Sequence, residues 1–504
     1  MKIRTGKGRQ TIKTSLRDLS LLPALVAFLA LILPQSMAET FTTLHSFAKT
    51  GPYPYTNSDG VFPDAGLILS GNTLYGTANE GGTSGNGTLF AINIDGTGFT
   101  NLHTFSGGSD GAGPYAGLVL MDGILYGSAV GGGSSGNGSV FKLHTDGTAF
   151  TILHTFAAGS GSGPIITNSD GVGPSGLILS DNVLYGTTYS GGSLGGGTVF
   201  AVNTDGTGFT NLHAFATAFA PTNVGGAGPN GGLILSGRTL YGTTRAGGSL
   251  LGGTVFAVNT DGTSFTNLHA FDINTEGYYP DVGLTLSGNT LFGTTQSGPD
   301  VTGLGGGTVF ALHIDGTGFT ELHTFAFTSL PYPGTNSDGN YPIAGLLLSG
   351  NMLYGTADFG GALGGGTVFA VNTDGTHFTT LYNFTQIHGS APSDWVNTCG
   401  ANPSCKLILS GNTLYGAASD GGRWGVGTVF SLALPPPQLA ILASQDNLVL
   451  AWPTNVTGLT LQSTTNLGSS AVWSTSSSTP TIISGQNVIT NPISGAQRFF
   501  RLSQ

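Results

Sequence analysis

Short runs of apolar residues alternate with glycine-rich and polar turns along most of this chain. The same order of runs recurs seven times, typically as LILSGNTLYGTT, then GGTVFAVN, then DGTGFTNLHAF. Each copy supplies four short β-prone segments, which in the third copy cover 177–179, 183–188, 198–203 and 209–215. Four antiparallel strands per copy predict one blade of a β-propeller. Every copy carries an aromatic residue followed by glycine, at Tyr75, Tyr126, Tyr185, Tyr241, Phe292, Tyr354 and Tyr415.

One repeat is divided between the two ends of this region. The seventh copy stops after GTVFSL at Leu432, while an unattached FTTLHSF lies at Phe41 to Phe47. A linear array has no reason to share a repeat between its ends, whereas a ring does, because the first strand completes the last blade and covers its free edge. The sequence therefore predicts an all-β, seven-bladed β-propeller over residues 39–434, closed by the N-terminal strand.

Turn chemistry distinguishes the two faces of the predicted disc. Tight hairpins join the first strand to the second and the third to the fourth, and Asp-Gly in the latter supplies the positive φ that such turns need. Long, variable segments join the second strand to the third and each fourth strand to the next blade. Because alternate connections of an up-and-down sheet fall on one side, both variable connections share one face. We expect binding groups on that face.

The repeat resembles the GloVer-type tandem repeat of bacterial surface and secreted proteins, in which an LYGTT segment, a GGxGTVF segment and an NTDGT turn recur in this order. The resemblance covers about residues 41–434. It implies an extracytoplasmic protein from a family with interchangeable carboxyl-terminal anchors, and it implies no catalytic residues.

The two ends of the chain have other compositions. Residues 1–38 are typical of a secretory signal peptide. Six Lys and Arg lie within the first eighteen residues, and an apolar run and then Ser36-Met37-Ala38 follow them. Residues 435–437 are a Pro-Pro-Pro linker, and residues 438–504 are expected to form a small β-sandwich that resembles a fibronectin type III module. We expect a secreted or cell-surface protein without a membrane span after cleavage of the signal.

Charge narrows the choice of partner. Without residues 1–38 the chain keeps 8 Lys and Arg against 24 Asp and Glu, a formal charge near −16. Nucleic acid and anionic membrane surfaces are therefore poor partners. A glycan or a surface protein is the expected partner.

Aromatic and acidic residues of the variable face are the candidate binding groups. Aromatic rings pack against the C–H faces of sugars, and carboxylates accept hydrogen bonds from hydroxyl groups. Loop carboxylates at Asp64, Glu80, Asp281, Asp358 and Asp420 accompany the aromatic residues. An acidic residue also recurs in the Asp-Gly-x-x-Pro pattern of the connectors, and turn geometry does not fully explain it. The candidates are Tyr55, Tyr189, Tyr278, Trp395 and Trp424 with Asp59, Asp110, Asp170, Glu276 and Asp338.

Two other residue types invite chemical interpretation. Equivalent positions of a ring do not converge, so the six histidines of the fourth strands are expected to be packed rather than metal-bound. Cys399 and Cys405 lie in the seventh connector, where a local disulfide is the expectation for an exported chain and a redox-active pair the alternative. No metal or cofactor is expected. The histidines are His45, His103, His154, His213, His269 and His323, with Tyr382 in the seventh copy.

Three functions remain open at the level of sequence. The favoured one is a non-enzymatic binding or scaffolding propeller, with glycans at the cell surface as its ligands. A propeller enzyme that acts on polysaccharide through two loop carboxylates is the second, and a purely structural surface protein is the third.

Overall fold

A computed structural model describes residues 40–51, 53–160, 166–218, 223–299, 306–328, 334–387, 396–435, 438–444, 447–453, 459–466, 471–483, 486–493 and 498–503. The secondary structure of these residues is all β. Within the described ranges no helix is long and apolar enough to cross a membrane. Contacts group Glu39–Leu434 into one compact unit and place Pro435–Gln504 in another.

The unit Glu39–Leu434 contains seven antiparallel sheets of four or more strands, counted over its described residues, and each sheet corresponds to one repeat. The first strand of each sheet has three residues, and the second begins after a two-residue turn. The first strands are β2 (Ile68–Ser70), β6 (Val119–Met121), β11 (Ile178–Ser180), β15 (Ile234–Ser236), β19 (Thr285–Ser287), β23 (Leu347–Ser349) and β27 (Ile408–Ser410). The second strands are β3 (Thr73–Ala78), β7 (Ile124–Ala129), β12 (Val183–Ser190), β16 (Thr239–Thr244), β20 (Thr290–Thr295), β24 (Met352–Ala357) and β28 (Thr413–Ala418).

The third strands are buried on both faces, whereas the fourth strands are partly exposed. The third strands are β4 (Thr88–Asn93), β8 (Ser139–His144), β13 (Gly195–Asn203), β17 (Leu251–Asn259), β21 (Thr308–His313), β25 (Gly364–Asn372) and β29 (Thr428–Ala433). The fourth strands are β5 (Thr100–Thr104), β9 (Thr151–Thr155), β14 (Thr210–Ala216), β18 (Thr266–Asp272), β22 (Thr320–Thr324) and β26 (Thr379–Thr385), with β1 (Thr40–Ser46) in the seventh sheet. The third sheet has an additional strand, β10 (Val172–Pro174), which pairs with β12.

The seventh sheet joins the two ends of the unit, as the divided repeat predicts. Its strand order is β1-β29-β28-β27. Thr40 lies opposite Ala433 and Ser46 lies opposite Thr428, with one irregularity in register between Thr43 and His45. The predicted pairing of residues 41–47 with 428–433 is thus confirmed.

The glycine of each aromatic-glycine pair makes room for a phenylalanine of the neighbouring strand. A Cβ added to Gly76 would lie 2.5 Å from Phe90 and 2.7 Å from Leu67, closer than real contacts allow. The equivalent glycines of the other six sheets meet their own Phe and Leu at similar distances, for example Gly186 with Phe200. The most regular feature of the sequence is therefore a packing requirement.

Apolar clusters join consecutive sheets. Between the second and third sheets, Tyr126, Val140 and Phe156 contact Leu184 and Phe200. The seventh and first sheets are joined in the same way. That cluster comprises Phe47, Tyr415 and Val429 with Leu74 and Phe90. Similar clusters join each of the remaining five pairs of consecutive sheets.

The Asp-Gly hairpins have the geometry that the sequence predicts. Gly206 has φ 89°, and the Oδ1 atom of Asp205 accepts hydrogen bonds from the backbone N–H and the hydroxyl of Thr207. These hydrogen bonds lower the pKa of Asp205. The same arrangement recurs in the other five turns, at Asp95, Asp146, Asp261, Asp315 and Asp374.

The described residues after Pro435 form two further sheets. The first has the order β30 (Ala440–Ser444), β31 (Asn447–Pro453), β35 (Gln486–Pro492) and β34 (Thr481–Ile483). The second has the order β33 (Ser474–Thr475), β32 (Thr460–Thr464) and β36 (Phe499–Ser503). Leu450 and Trp452 of the first sheet pack against Leu461 of the second.

Candidate functional site

The acidic residues of the connectors lie beside the histidines of the fourth strands. Asp59 accepts a hydrogen bond from the backbone N–H of Ala48 and lies 2.9 Å from Nε2 of His45. In every such copy the carboxylate also bonds the backbone N–H three residues after its histidine. The pairs are His45 with Asp59 (2.9 Å), His103 with Asp110 (3.3 Å), His154 with Asp170 (2.9 Å), His269 with Glu276 (3.0 Å) and His323 with Asp338 (2.9 Å). These five predicted ligand-binding acids therefore anchor the connectors to the sheets.

Each of these histidines also stacks on a phenylalanine of the next sheet. The His154 ring lies 3.7 Å from that of Phe209, nearly parallel to it. His45 of the seventh sheet stacks in the same way on Phe99 of the first, at 3.7 Å. In the seventh copy of the histidine position, Tyr382 stacks on Phe41 at 4.1 Å. The histidines are thus packing residues, as expected from their equivalent positions.

Two copies lack the histidine–carboxylate pair, because another residue occupies the acidic position of each. His213 faces a connector with Gly225 in the acidic position, and desolvation without a carboxylate partner lowers its pKa to about 4. Tyr382 replaces histidine where Cys399 replaces the acid, and burial raises the pKa of Tyr382. In five of the six histidine copies the acid accepts from a packed histidine, and in the sixth the histidine stays packed without an acceptor, a relation that turn geometry alone could not reveal.

The predicted disulfide is not formed in this structure. Cys399 and Cys405 are free, buried thiols. They occupy different environments, because the Sγ atom of Cys399 lies 3.4 Å from the carbonyl oxygen of Gly400 while that of Cys405 accepts a hydrogen bond from the backbone N–H of Ala417. Burial raises the pKa of Cys405 to about 12, so this thiol is not activated for redox chemistry.

The structure describes four of the five candidate aromatic residues, and no ring contact joins any two of these four. Tyr55 is half-buried and contacts Tyr53 and Phe62. Tyr278 packs edge-on against Tyr279. Tyr189 is 45% exposed, and Trp424, 37% exposed, carries the guanidinium of Arg423 5.0 Å from its ring centre. Trp395 lies outside the described residues.

The segments that lead into the seven first strands meet one another. A Cβ placed on Gly66 would lie 3.2 Å from Cβ of Lys406, and one placed on Gly117 would lie 3.3 Å from the carbonyl oxygen of Gly66. The residues just before these glycines, on the variable side, are therefore brought together from different repeats. The same close approach continues through Gly345, Gly283, Gly232 and Gly176.

Three of the loop carboxylates, Asp64, Asp358 and Asp420, influence one another at this place, and a fourth, Asp281, acts on Tyr115 together with Asp64 and Asp358. Asp64 and Asp281 follow the connector prolines, while Asp358 and Asp420 follow the second strands of the sixth and seventh sheets. We call these four the central carboxylate cluster. Burial and the nearby charges of Asp420 and Glu80 raise the pKa of Asp64 to about 7.

The other members of the cluster are perturbed in the same direction. Burial raises the pKa of Asp420 to about 7. Burial, Asp420 and Asp64 together raise the pKa of Asp358 well above its usual value. Like charges and desolvation both favour the protonated form of a carboxylate. Every member of the cluster therefore has a raised pKa, because burial disfavours the charged form of each.

An ion pair and a tyrosine border the cluster. Arg245 donates to Oδ2 of Asp281, and its guanidinium lies 4.6 Å from the ring centre of Tyr279. Burial raises the pKa of Asp281 to about 6 despite this partner. Tyr115 is 42% exposed, and burial of its hydroxyl together with Asp64, Asp281 and Asp358 raises its pKa to about 12.

Metal binding has no preformed ligand set here. In the described ranges no group of three His, Cys, Asp or Glu side chains is placed to hold a metal ion. A shallow groove of about 560 Å³ exists elsewhere, between hairpins of the fifth and sixth sheets, and none of the four carboxylates lines it.

The sequence identified the four carboxylates as loop residues, but they were not among the ten candidate binding residues. It missed Arg245 and Lys406 altogether. Aligning the seven copies was the available signal, since Asp64, Tyr115 and Asp281 share the position after the connector proline. The convergence of that position depends on how the sheets meet.

Solved structures of propeller type are similar to this chain in fold. An oligogalacturonate lyase from Vibrio parahaemolyticus is 10% identical, with a TM-score of 0.45 over 79% of this chain and 98% of that one. A putative 6-phosphogluconolactonase from Bacteroides uniformis is 15% identical, with a TM-score of 0.41 over 88% and 98%. TolB from Acinetobacter baumannii is 13% identical, with a TM-score of 0.33 over 57% and 58%. Such likenesses carry no information on activity.

Sequence comparison gives a family. No curated protein matches the chain. The model of the Gloeobacter/Verrucomicrobia repeat matches residues 34–173 and again residues 165–337. The two matches together span more than half of the 504 residues. The resemblance inferred from the repeat is thereby confirmed, and the chain belongs to the Gloeobacter/Verrucomicrobia repeat family.

Proposed function

We propose that the seven sheets are the blades of a closed seven-bladed β-propeller over residues 39–434. The apolar cluster and the His45–Phe99 stack between the seventh and first sheets support closure, because they repeat the contacts between other consecutive sheets. The two smaller sheets after Pro435, with Trp452 and Leu461 between them, support a small C-terminal β-sandwich.

We also propose that the protein is exported and acts outside the cytoplasm. The basic and apolar character of residues 1–38 supports a cleaved signal peptide, although these residues lie outside the described ranges. Its charge near −16 after cleavage makes anionic surfaces unfavourable partners. A ligand with hydrogen-bond donors is a more favourable partner for this negatively charged chain than an anionic surface.

The proposed activity is non-enzymatic binding of a glycan at the central carboxylate cluster. The observation that carries this proposal is that carboxylates from three different sheets, Asp64, Asp281 and Asp358, all act on Tyr115, which is 42% exposed. A sugar ring can pack against the tyrosine while its hydroxyl groups donate to the carboxylates. The rest of the repeat is nearly uniform, so this asymmetric place is where specificity would lie.

A glycan array with the full-length protein tests this proposal. We expect a defined set of glycans to bind, and Tyr115→Ala to weaken that binding at least tenfold without a change in melting temperature. Tyr53→Ala is the matched control, because Tyr53 is also a connector tyrosine and is 81% exposed. Loss of binding in the Tyr53 variant but not in the Tyr115 variant would place the site elsewhere.

Cleavage of polysaccharide is the second candidate function. A general acid in glycoside hydrolysis needs a carboxyl group with a raised pKa, and burial raises the pKa of Asp64 and Asp420 to about 7. Release of new reducing ends from a bound glycan, abolished by Asp64→Asn, would favour this candidate over simple binding.

A further inference from the structure

Four tight hairpins of the fifth and sixth sheets enclose a groove on the face opposite the variable loops. Its volume is about 560 Å³, within the range of roughly 300–1,000 Å³ that small-molecule sites occupy. Phe292, Ala311 and Leu322 give the groove an apolar base, and the hairpin residues around that base are mostly polar. None of the four carboxylates of the central carboxylate cluster lines it, so the groove is a separate place on the molecule.

The aromatic residue at the base of the groove differs from its counterparts. Six copies of the repeat have tyrosine before the glycine of the aromatic-glycine pair, and the fifth copy has Phe292. In the second copy burial raises the pKa of Tyr126, and a hydrogen bond with Thr204 of the next hairpin opposes that rise. The third copy repeats this arrangement. Thr373 is the equivalent threonine beside Phe292, and both residues line the groove. The position that a tyrosine hydroxyl takes in those copies is therefore open to a ligand.

The fifth copy also departs from the repeat at the wall of the groove. In the fourth copy the hydroxyl of Thr239 donates to Oδ1 of Asn259, at 3.3 Å. The equivalent Thr290 lies opposite His313 instead, and its hydroxyl makes no hydrogen bond to any other described residue. Nδ1 of His313 lies 3.2 Å from the hydroxyl oxygen of Thr317, so Nε2 is the ring nitrogen left for a ligand. Thr290 and His313 both line the groove.

Asp374 adds an ionised acceptor on the side of the sixth sheet. Its Oδ1 atom accepts hydrogen bonds from the hydroxyl and the backbone N–H of Thr376, at 2.6 and 2.9 Å. These hydrogen bonds lower the pKa of Asp374. Its Oδ2 atom accepts no hydrogen bond from the residues that the structure describes. Asp374 is exposed, so water and salt screen its charge, and a hydroxyl donor suits it as well as a cation does.

A neutral ring that carries hydroxyl groups matches this lining. The faces of a sugar ring present C–H groups to an apolar surface, and each sugar hydroxyl both donates and accepts hydrogen bonds. The carboxylate of Asp374 accepts from such hydroxyls, while the hydroxyls of Thr290 and Thr373 donate to them or accept from them. A metal ion fits less well, because in the described ranges no three His, Cys, Asp or Glu side chains are placed to hold one.

We propose that the groove between the fifth and sixth hairpins is a second saccharide site, which takes a neutral sugar residue. The apolar base packs against a C–H face of the sugar, and Asp374, Thr290 and Thr373 bind its hydroxyl groups. This site goes beyond glycan binding at the central carboxylate cluster, because the two places lie on opposite faces of the sheets. A chain with both sites links two saccharide molecules.

Saturation-transfer difference NMR with the full-length protein tests this site. The probes are three neutral trisaccharides, maltotriose, cellotriose and mannotriose, each titrated to saturation. We expect at least one of them to bind. Phe292→Tyr should weaken that binding at least tenfold without lowering the melting temperature. The added hydroxyl occupies the base of the groove and bonds to Thr373, as the tyrosine hydroxyls of the second and third copies bond to their threonines.

Tyr185→Phe is the matched control. It makes the reverse exchange at the equivalent position of the third sheet, which does not line the groove, and it should leave the affinity unchanged. Thr290→Val is a second site variant, because it removes the unpartnered hydroxyl at nearly constant volume. Loss of one hydrogen bond to the sugar should weaken binding by about threefold or more. If Phe292→Tyr lowers the melting temperature, the result with Thr290→Val decides.

Each outcome supports or overturns the groove as a saccharide site. Absence of saturable binding by all three trisaccharides overturns it. Binding that both Phe292→Tyr and Thr290→Val leave unchanged overturns it as well. Binding that is lost in Tyr115→Ala but kept in Phe292→Tyr places the trisaccharide at the central carboxylate cluster, which overturns the second site and supports the proposed function. Binding that is lost in Phe292→Tyr but kept in Tyr185→Phe supports the second site.

Discussion

Replacement of Phe47 by alanine tests whether the N-terminal strand is a full member of the seventh sheet. Phe47 is completely buried. Its ring lies 5.4 Å from that of Phe90 and 5.9 Å from that of Phe99, both in the first sheet. Truncation of a buried phenylalanine costs about 3–5 kcal/mol, through lost transfer free energy and the remaining cavity. We expect the free energy of unfolding to fall by that amount in guanidinium titrations followed by circular dichroism.

Phe156→Ala is the matched comparison. Phe156 is equally buried in the second sheet, and its ring lies 5.4 Å from Phe200 and 5.9 Å from Phe209. Similar surroundings predict similar losses, while Phe327→Ala, at a position 60% exposed, should change stability by less than about 0.5 kcal/mol. If Phe47→Ala costs under about 1 kcal/mol while Phe156→Ala costs the full amount, the reasoning about closure is wrong.

Three further predictions concern pH and the turns. Gly225→Asp should supply the missing acceptor for His213, raise its pKa from about 4 in an NMR titration, and remove the loss of stability that the present chain suffers as the pH falls from about 6.5 to 4. Asp420, whose pKa of about 7 exceeds its usual 3.8, destabilises the fold as the pH rises from about 4 to 7, so Asp420→Asn should raise the melting temperature at pH 8 but hardly at pH 4. Gly206→Val should lower the free energy of unfolding by more than about 1 kcal/mol without affecting ligand binding, because its Cβ would lie 2.9 Å from the carbonyl oxygen of Leu153 at φ 89°.

Local features of the fold could be predicted because each depends on neighbours in sequence. The four strands of a copy follow from short apolar runs between turn residues, and β13 and β14 differ from the predicted bounds by three residues or fewer. Asp-Gly specifies its hairpin through a positive φ and a hydrogen bond two residues away. Even the pairing of β1 with β29 was predictable, since the seventh copy lacks its fourth strand and the matching segment lies at the start of the repeat region.

The candidate site was predictable only in part. Asp59 and its equivalents were predicted to bind a ligand, since nothing in the order of residues shows that a histidine 14 positions before Asp59 lies 2.9 Å from its carboxylate. The spacing of Cys399 and Cys405 suggested a bond, but the two thiols point into different environments. Such contacts depend on the packing of a connector on its own sheet, which local sequence does not encode.

The sequence by itself determined the repeat, the strands, the turns and the face that carries variable loops, because periodic apolar positions and turn residues act over a few residues. Only the tertiary structure decided which acids are structural and which converge. Asp64 and Asp358 are 294 positions apart, and they interact because the packing of the sheets brings the connector before the first sheet close to the loop after the second strand of the sixth sheet. Their raised pKa values arise from burial and mutual repulsion, two effects that exist only after those distant segments have met.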